Sequence, residues 1–139
     1  MLTLEQFKAA RSVLRGVIRD TSLIHSTALS KSTGHNVYLK PENMQVTGAY
    51  KIRGAYYKIS TLSQEEKERG LITASAGNHA QGLAYAAQAA GVPATIVMPT
   101  TTPLVKVNNT KDYGAKVILH GEVFDEAAAL AAQLSEEKG

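Results

Sequence analysis

Apolar residues recur at helical spacing near the start of the chain. Phe7, Ala10, Leu14, Val17 and Ile18 share one face, so residues 4 to 19 are predicted to form an amphipathic helix. Thr3-Leu4-Glu5-Gln6 has the form of a capping box, in which a Thr N-cap and a Gln three positions on satisfy each other's free amides. Short apolar stretches at Leu23-Ile24 and Val37-Tyr38-Leu39 read as strands, separated by a turn signal at Gly34. From Gly48 the period is helical again, with Ile52, Ala55, Tyr56 and Ile59 aligned, and Ser63-Gln64-Glu65-Glu66 is a second capping box before a short helix that stops at Gly70.

A different rhythm starts at residue 71. Three apolar runs, Leu71 to Ala74, Ala94 to Met98 and Ala115 to Leu119, begin 23 and then 21 residues apart, and each precedes a helical stretch. Gly91 and Gly114 are helix stops and Pro103 is a helix start. Such alternation predicts three parallel strands with right-handed crossovers, hence a three-layer α/β architecture with helices on both faces of the sheet. The last helix carries Phe124, Ala127, Ala128, Ala131 and Leu134 as its packing face, with Gly139 as its stop. A parallel sheet of three strands leaves two edges, to be covered by the earlier strands, a partner chain or a C-terminal continuation.

Composition narrows the class. A chain of 139 residues that is 44% hydrophobic suits one domain or a piece of one. Lys and Arg number 15 against 12 Asp and Glu, a net charge of +3 with no basic run, so neither nucleic acid nor a membrane is expected as a partner. Up to residue 70 there are 11 basic and 6 acidic residues, and after it 4 and 6. Cysteine is absent, which removes disulfides, thiol nucleophiles and zinc knuckles and fits a reducing compartment. No signal core or long apolar span occurs, so a cytoplasmic protein is expected. His25, His35, His79 and His120 lack metal-ligand spacing, so no metal site is expected.

Two segments could carry chemistry. Ligands of open parallel sheets bind beyond the carboxyl ends of the strands, where helix N-termini present free amides. Ser75-Ala76-Gly77-Asn78-His79 follows the first of the three runs; Ser75 and Asn78 are capping types, and Gly77 lets a backbone amide approach an anion such as a carboxylate. The same residues could merely cap the helix. The second segment is Thr47-Gly48-Ala49-Tyr50-Lys51. With Thr47 as N-cap, Lys51 falls in the first helical turn, where the helix dipole favours a neutral amine, the form that attacks a carbonyl. A solvent-exposed lysine covering its neighbours is the plain alternative.

TGAYKIRGAYYKIS, LITASAGNHAQGLAYAA, ATIVMPTTTPLVKV and YGAKVILHGEVFDEA, in this order from about Phe7 to Gly139, resemble the serine/threonine dehydratases (threonine ammonia-lyases). These are pyridoxal 5'-phosphate enzymes of the tryptophan-synthase-beta-like fold. The resemblance implies that Lys51 holds the cofactor as an aldimine. It also implies that Tyr50 packs at the pyridine ring where Phe is usual, and that Asn78 hydrogen-bonds the phenolic oxygen. Ser75, Ala76, Gly77, Asn78 and His79 are implied to close over the substrate carboxylate. Ala49 stands where many members have Ser. The implied reaction converts L-threonine to 2-ketobutyrate and ammonia, or serine to pyruvate, within amino-acid metabolism such as isoleucine biosynthesis. Serine racemization shares these motifs, and a non-catalytic truncated α/β module is the alternative of another class.

The family's glycine-rich phosphate loop has no counterpart, since none of the 11 glycines is adjacent to another. The chain is therefore expected to be the N-terminal part of a catalytic domain, with residues 1-50 belonging to a larger domain and 51-139 forming a small α/β subdomain. A homo-oligomer, or association with a C-terminal portion, is expected, with weak cofactor binding and little turnover by the chain alone.

Overall fold

The computed structural model describes residues 1–138. Gly139, read above as a helix stop, lies outside the described residues. Helix α1 (Leu4–Leu14) begins at the expected box, with Thr3 accepting from the Gln6 amide and Gln6 reaching back to Thr3. It is shorter than the predicted 4 to 19. Arg15 turns extended (φ -59, ψ 132) and Gly16 takes φ 79, a left-handed conformation that suits glycine and ends the helix. Only Leu14 of α1 is buried, so the expected apolar face is largely open, with Phe7 60% exposed.

Strands β1 (Ile24–His25) and β2 (Tyr38–Leu39) pair antiparallel. Between them runs α2 (Thr27–Thr33), which has no counterpart among the sequence-based expectations. Its N-cap is Ser26, whose hydroxyl accepts from the Leu29 amide. A 3₁₀ turn, Glu42–Met44, leads toward α3 (Lys51–Ser60), and α4 (Gln64–Arg69) has the second capping box.

The remainder alternates as read: β3 (Leu71–Ala74), α5 (Asn78–Ala90), β4 (Ala94–Met98), α6 (Leu104–Asp112), β5 (Lys116–Leu119) and α7 (Phe124–Lys138). The three strands are parallel in the order β3-β4-β5. Alternation along β4 sends Ile96 and Met98 into a core with Ala80, Ala84 and Val107 of α5 and α6, and Val97 to Ala127 and Ala131 of α7. Helices therefore cover both sheet faces. Phe124 departs from expectation: it is 56% exposed while Ala127 and Ala131 bury. Helix α3 packs outside α5, where Ala55 and Ile59 join Ala86, Ala87 and Val92. That contact brings the start of α3 to the carboxyl end of β3.

Candidate functional site

Lys51 is the first residue of α3 and its side chain is exposed. Thr47 is not the cap that spacing suggested. Tyr50 occupies the N-cap position in helical geometry without a side-chain cap bond, while buried Thr47 directs its hydroxyl to the Ala49 carbonyl at 3.5 Å. Tyr50 is 62% exposed, beside the lysine.

The approach to Lys51 is held from several sides. Buried Gln45 clamps the chain at Arg19: its Nε2 donates to the Arg19 carbonyl at 2.9 Å, and its Oε1 accepts from the Arg19 amide at 2.8 Å. Arg53 and Glu42, whose partners sequence alone does not identify, pair with each other. Nε donates to Oε2 and Nη2 to Oε1, both at 2.8 Å. The Thr21 hydroxyl donates to Glu42 at 2.6 Å, and Lys40 donates to the Thr21 carbonyl. Hydrogen bonds from Arg53 hold the Glu42 carboxyl down to about 2, against the opposing effect of its partial burial.

Across from Lys51 lies the turn after β3. Ser75 extends the sheet ladder by one bond, its amide donating to the Val97 carbonyl at 3.0 Å, and its hydroxyl accepts from the Gly77 amide at 3.3 Å. So Ser75 does cap. Gly77 is the N-cap of α5 with no side-chain bond, and Asn78, read as a capping type, is instead the first helical residue and exposed. Ala76, Gly77 and His79 are half-buried.

Two observations join the segments. A Cβ at Gly82 would lie 3.2 Å from the Ile52 nitrogen and 3.3 Å from the Lys51 carbonyl carbon, so α5 meets the first turn of α3 backbone to backbone. Burial and then the Lys51 charge push the His79 imidazole below its usual range, so the two groups interact across the gap. Gly82 was missed as a site residue by sequence reasoning. The available signal was a glycine inside a helix, which costs about 0.5–1 kcal/mol relative to Ala and so implies a packing reason.

A concavity of about 930 Å³ lies elsewhere, between α1 and α3, and is lined by Phe7, Ala10, Leu14, Ile18, Arg53 and Tyr57 among others. It is the open groove left by the unburied face of α1. Among the described residues no His, Asp and Glu cluster could hold a metal. Lys51 offers an exposed primary amine, and the turn after β3 offers the exposed Asn78 amide and the N-terminal amides of α5, residue types that fit an aldehyde bearing a hydroxyl and accompanied by an anionic substrate. No consecutive glycine amides stand ready for a phosphate among the described residues.

A family model described as pyridoxal-phosphate dependent enzyme matches residues 14–139. Over all 139 residues the chain is 54% identical to an L-threonine ammonia-lyase of Thermotoga maritima, covering 35% of that protein. It is 51% identical to a catabolic L-threonine dehydratase of Staphylococcus aureus, covering 40% of it. Among solved structures, 99% of the chain superposes on 42% of threonine deaminase isoform 2 from Solanum lycopersicum (40% identity, TM-score 0.85). Maize serine racemase matches 98% of it over 41% of its own chain (33% identity, TM-score 0.90). The chain thus spans well under half the length of these relatives.

Proposed function

This chain belongs to the pyridoxal-phosphate dependent enzymes, and from that premise we propose that it forms the lysine-bearing part of the active site of a threonine or serine dehydratase. The observation that carries the reading is the meeting of Lys51 with the Ser75–His79 turn, through the Gly82 contact and the charge interaction with His79.

In this reading Lys51 Nζ holds the cofactor's aldehyde carbon, Asn78 donates to its ring oxygen, and Tyr50 packs beside the ring. When bound, pyridoxal phosphate supplies an electrophilic carbon for an amino group and an electron-poor ring that accepts charge from the substrate α-carbon. Nζ of Lys51, as the free amine, takes and holds the α-proton. Ser75, Ala76, Gly77, Asn78 and His79 bind and orient the carboxylate through backbone amides and side-chain donors. His79 stays neutral near pH 7, since burial and Lys51 both oppose its protonation. The net conversion is L-threonine to 2-ketobutyrate and ammonia, with serine giving pyruvate.

A second reading, serine racemization, draws support from the TM-score of 0.90 to the maize racemase. Keto acid release against D-serine formation by a complete catalytic domain separates the two. We assign residues 1-50 to a larger domain and 51-139 to a small α/β unit. We propose a cytoplasmic location, and a homo-oligomer or association with a C-terminal portion. Among the described residues no helix is long and apolar enough to cross a membrane.

Borohydride trapping of pyridoxal phosphate, mapped by peptide mass, tests the lysine. A dominant adduct on Lys51 that disappears in Lys51→Ala is expected. Equal labelling of Lys51 and the exposed lysines Lys58 and Lys116 would overturn the assignment. A titration of the chain alone is expected to show weak binding, because the phosphate anchor is not among its residues.

A further inference from the structure

Arg53 lies two positions beyond Lys51, about 200° around the helix, so the two side chains leave α3 on opposite sides. On the Arg53 side, both carboxylate oxygens of Glu42 and the Thr21 hydroxyl grip the guanidinium. Both charged side chains are largely withdrawn from solvent, at 30% and 18% exposure for Arg53 and Glu42. On the other side, Gly82 of α5 abuts the backbone of Lys51 and Ile52. The first turn of α3 is seated between a bidentate ion pair and a backbone contact, and its rotation sets where Lys51 points. Planar two-point pairing of guanidinium and carboxylate restricts rotation in a way a single bond does not.

We propose that the Glu42–Arg53 pair, closed by Thr21, is the positioning device that aims the Lys51 amine at His79 and the Ser75–His79 turn. The role assigned to Lys51 rests on the cofactor reading above; the geometry of the device does not.

His79 is the reporter, because its protonation senses the Lys51 charge. In the full chain, NMR titration of the His79 ring gives its midpoint in wild type, Lys51→Met, Glu42→Gln and the double variant. Lys51→Met is expected to raise the midpoint by removing a nearby cation. Glu42→Gln deletes a negative charge, which by itself lowers the midpoint. If the pair aims Lys51, freeing the first turn moves the ammonium away, and Glu42→Gln raises the midpoint by most of the Lys51→Met shift. That rise must vanish when Lys51 is already Met. A rise that persists in the double variant means that the turn itself has loosened, and it overturns the proposal. So does an unchanged or lowered midpoint in folded Glu42→Gln, or no shift in Lys51→Met. If Glu42→Gln does not fold, Thr21→Val opens one corner of the pair and is expected to give the same sign with smaller size. Borohydride trapping is scored separately: His79 shifts as expected without a Lys51 adduct keep the positioning device and remove the cofactor reading.

Discussion

Gly82 faces a trade between helix propensity and space. Replacing it with Ala gains about 0.5–1 kcal/mol of helix preference, since glycine is the costlier helical residue. The added methyl meets backbone atoms at 3.2 and 3.3 Å, and backbone yields less easily than a side chain. Overpacking of this kind costs about 1–3 kcal/mol, so Gly82→Ala is expected to destabilise by about 1 kcal/mol in a urea titration. It should also reduce trapping at Lys51, whose backbone must move. A stabilised Gly82→Ala with unchanged trapping would show that the two helices do not meet there.

Glu42 gives the molecule an acid sensitivity of definite sign. Hydrogen bonds from Arg53 hold its carboxyl down to about 2 in the fold, against an ordinary value of 4.5. A lowered carboxylate stabilises the fold fully above the unfolded value, and that stability is lost as pH falls from about 4.5 through about 2. The shift bounds the contribution at about 3 kcal/mol, an upper figure because both partners retain some solvent contact. Stability measured by denaturant titration should therefore fall less steeply in Glu42→Gln than in wild type over that range, from a lower starting value at neutral pH. Parallel curves would mean that the Arg53 pairing is not maintained in solution.

Among the elements, β4 carries the sheet. It is the only strand of the three with neighbours on both sides, and Ile96, Val97 and Met98 are fully buried. Ile96→Ala removes a branched side chain packed among Ala80, Ala84 and Val107, with an expected cost of about 2–5 kcal/mol. Leu119→Ala on β5, where the side chain is 49% exposed, should cost clearly less in the same assay. The contrast also explains which elements could be read ahead of the structure. From Leu71 onward each strand is a compact apolar run bounded by glycine or proline, and local pattern and tertiary burial agree. The first 50 residues lack that agreement. Helix α2 is Thr-Ala-Leu-Ser-Lys-Ser-Thr, with no apolar period; what holds it is the Ser26 cap and the turn at Gly34, both local hydrogen-bond effects. The end of α1 misled because Val17 and Ile18 continue the period past a backbone that has already turned at Arg15. At the candidate site, Lys51 and the Ser75–His79 turn stand out in the sequence as the segments proposed to carry chemistry. Their closeness was not, because it depends on α3 packing against α5, and the Glu42–Arg53 pairing depends on a fold-back across eleven residues.

At the scale of the whole molecule, the two ends of the chain differ in how far they bury themselves. Most of the large apolar side chains left exposed among the described residues fall in residues 1–50, including Phe7, Ile24, Tyr38 and Leu39. Strands β1 and β2 contribute two residues each, paired Ile24 with Leu39 and His25 with Tyr38, and all four are exposed. A two-stranded ribbon of that size is marginal in water unless something packs on it. The matched relatives are more than twice as long as this chain, so in them there is polypeptide available to cover such a ribbon. The full chain by itself is therefore expected to self-associate through this region, with a sedimentation coefficient that rises with concentration. Ile24→Lys combined with Leu39→Lys should suppress the rise by placing charge on the apolar face, whereas Leu104→Lys with Val105→Lys, more exposed still on α6, should leave it intact. Adding a separate polypeptide made of the portion of the Thermotoga maritima relative outside the matched residues should replace self-association with a one-to-one complex, and the Ile24/Leu39 variant should weaken that complex too. A chain that stays monomeric across the dilution series and ignores the added polypeptide would mean that the ribbon needs no cover, and that the front of the molecule is stable through the Gln45 clamp and the Glu42–Arg53 pair alone.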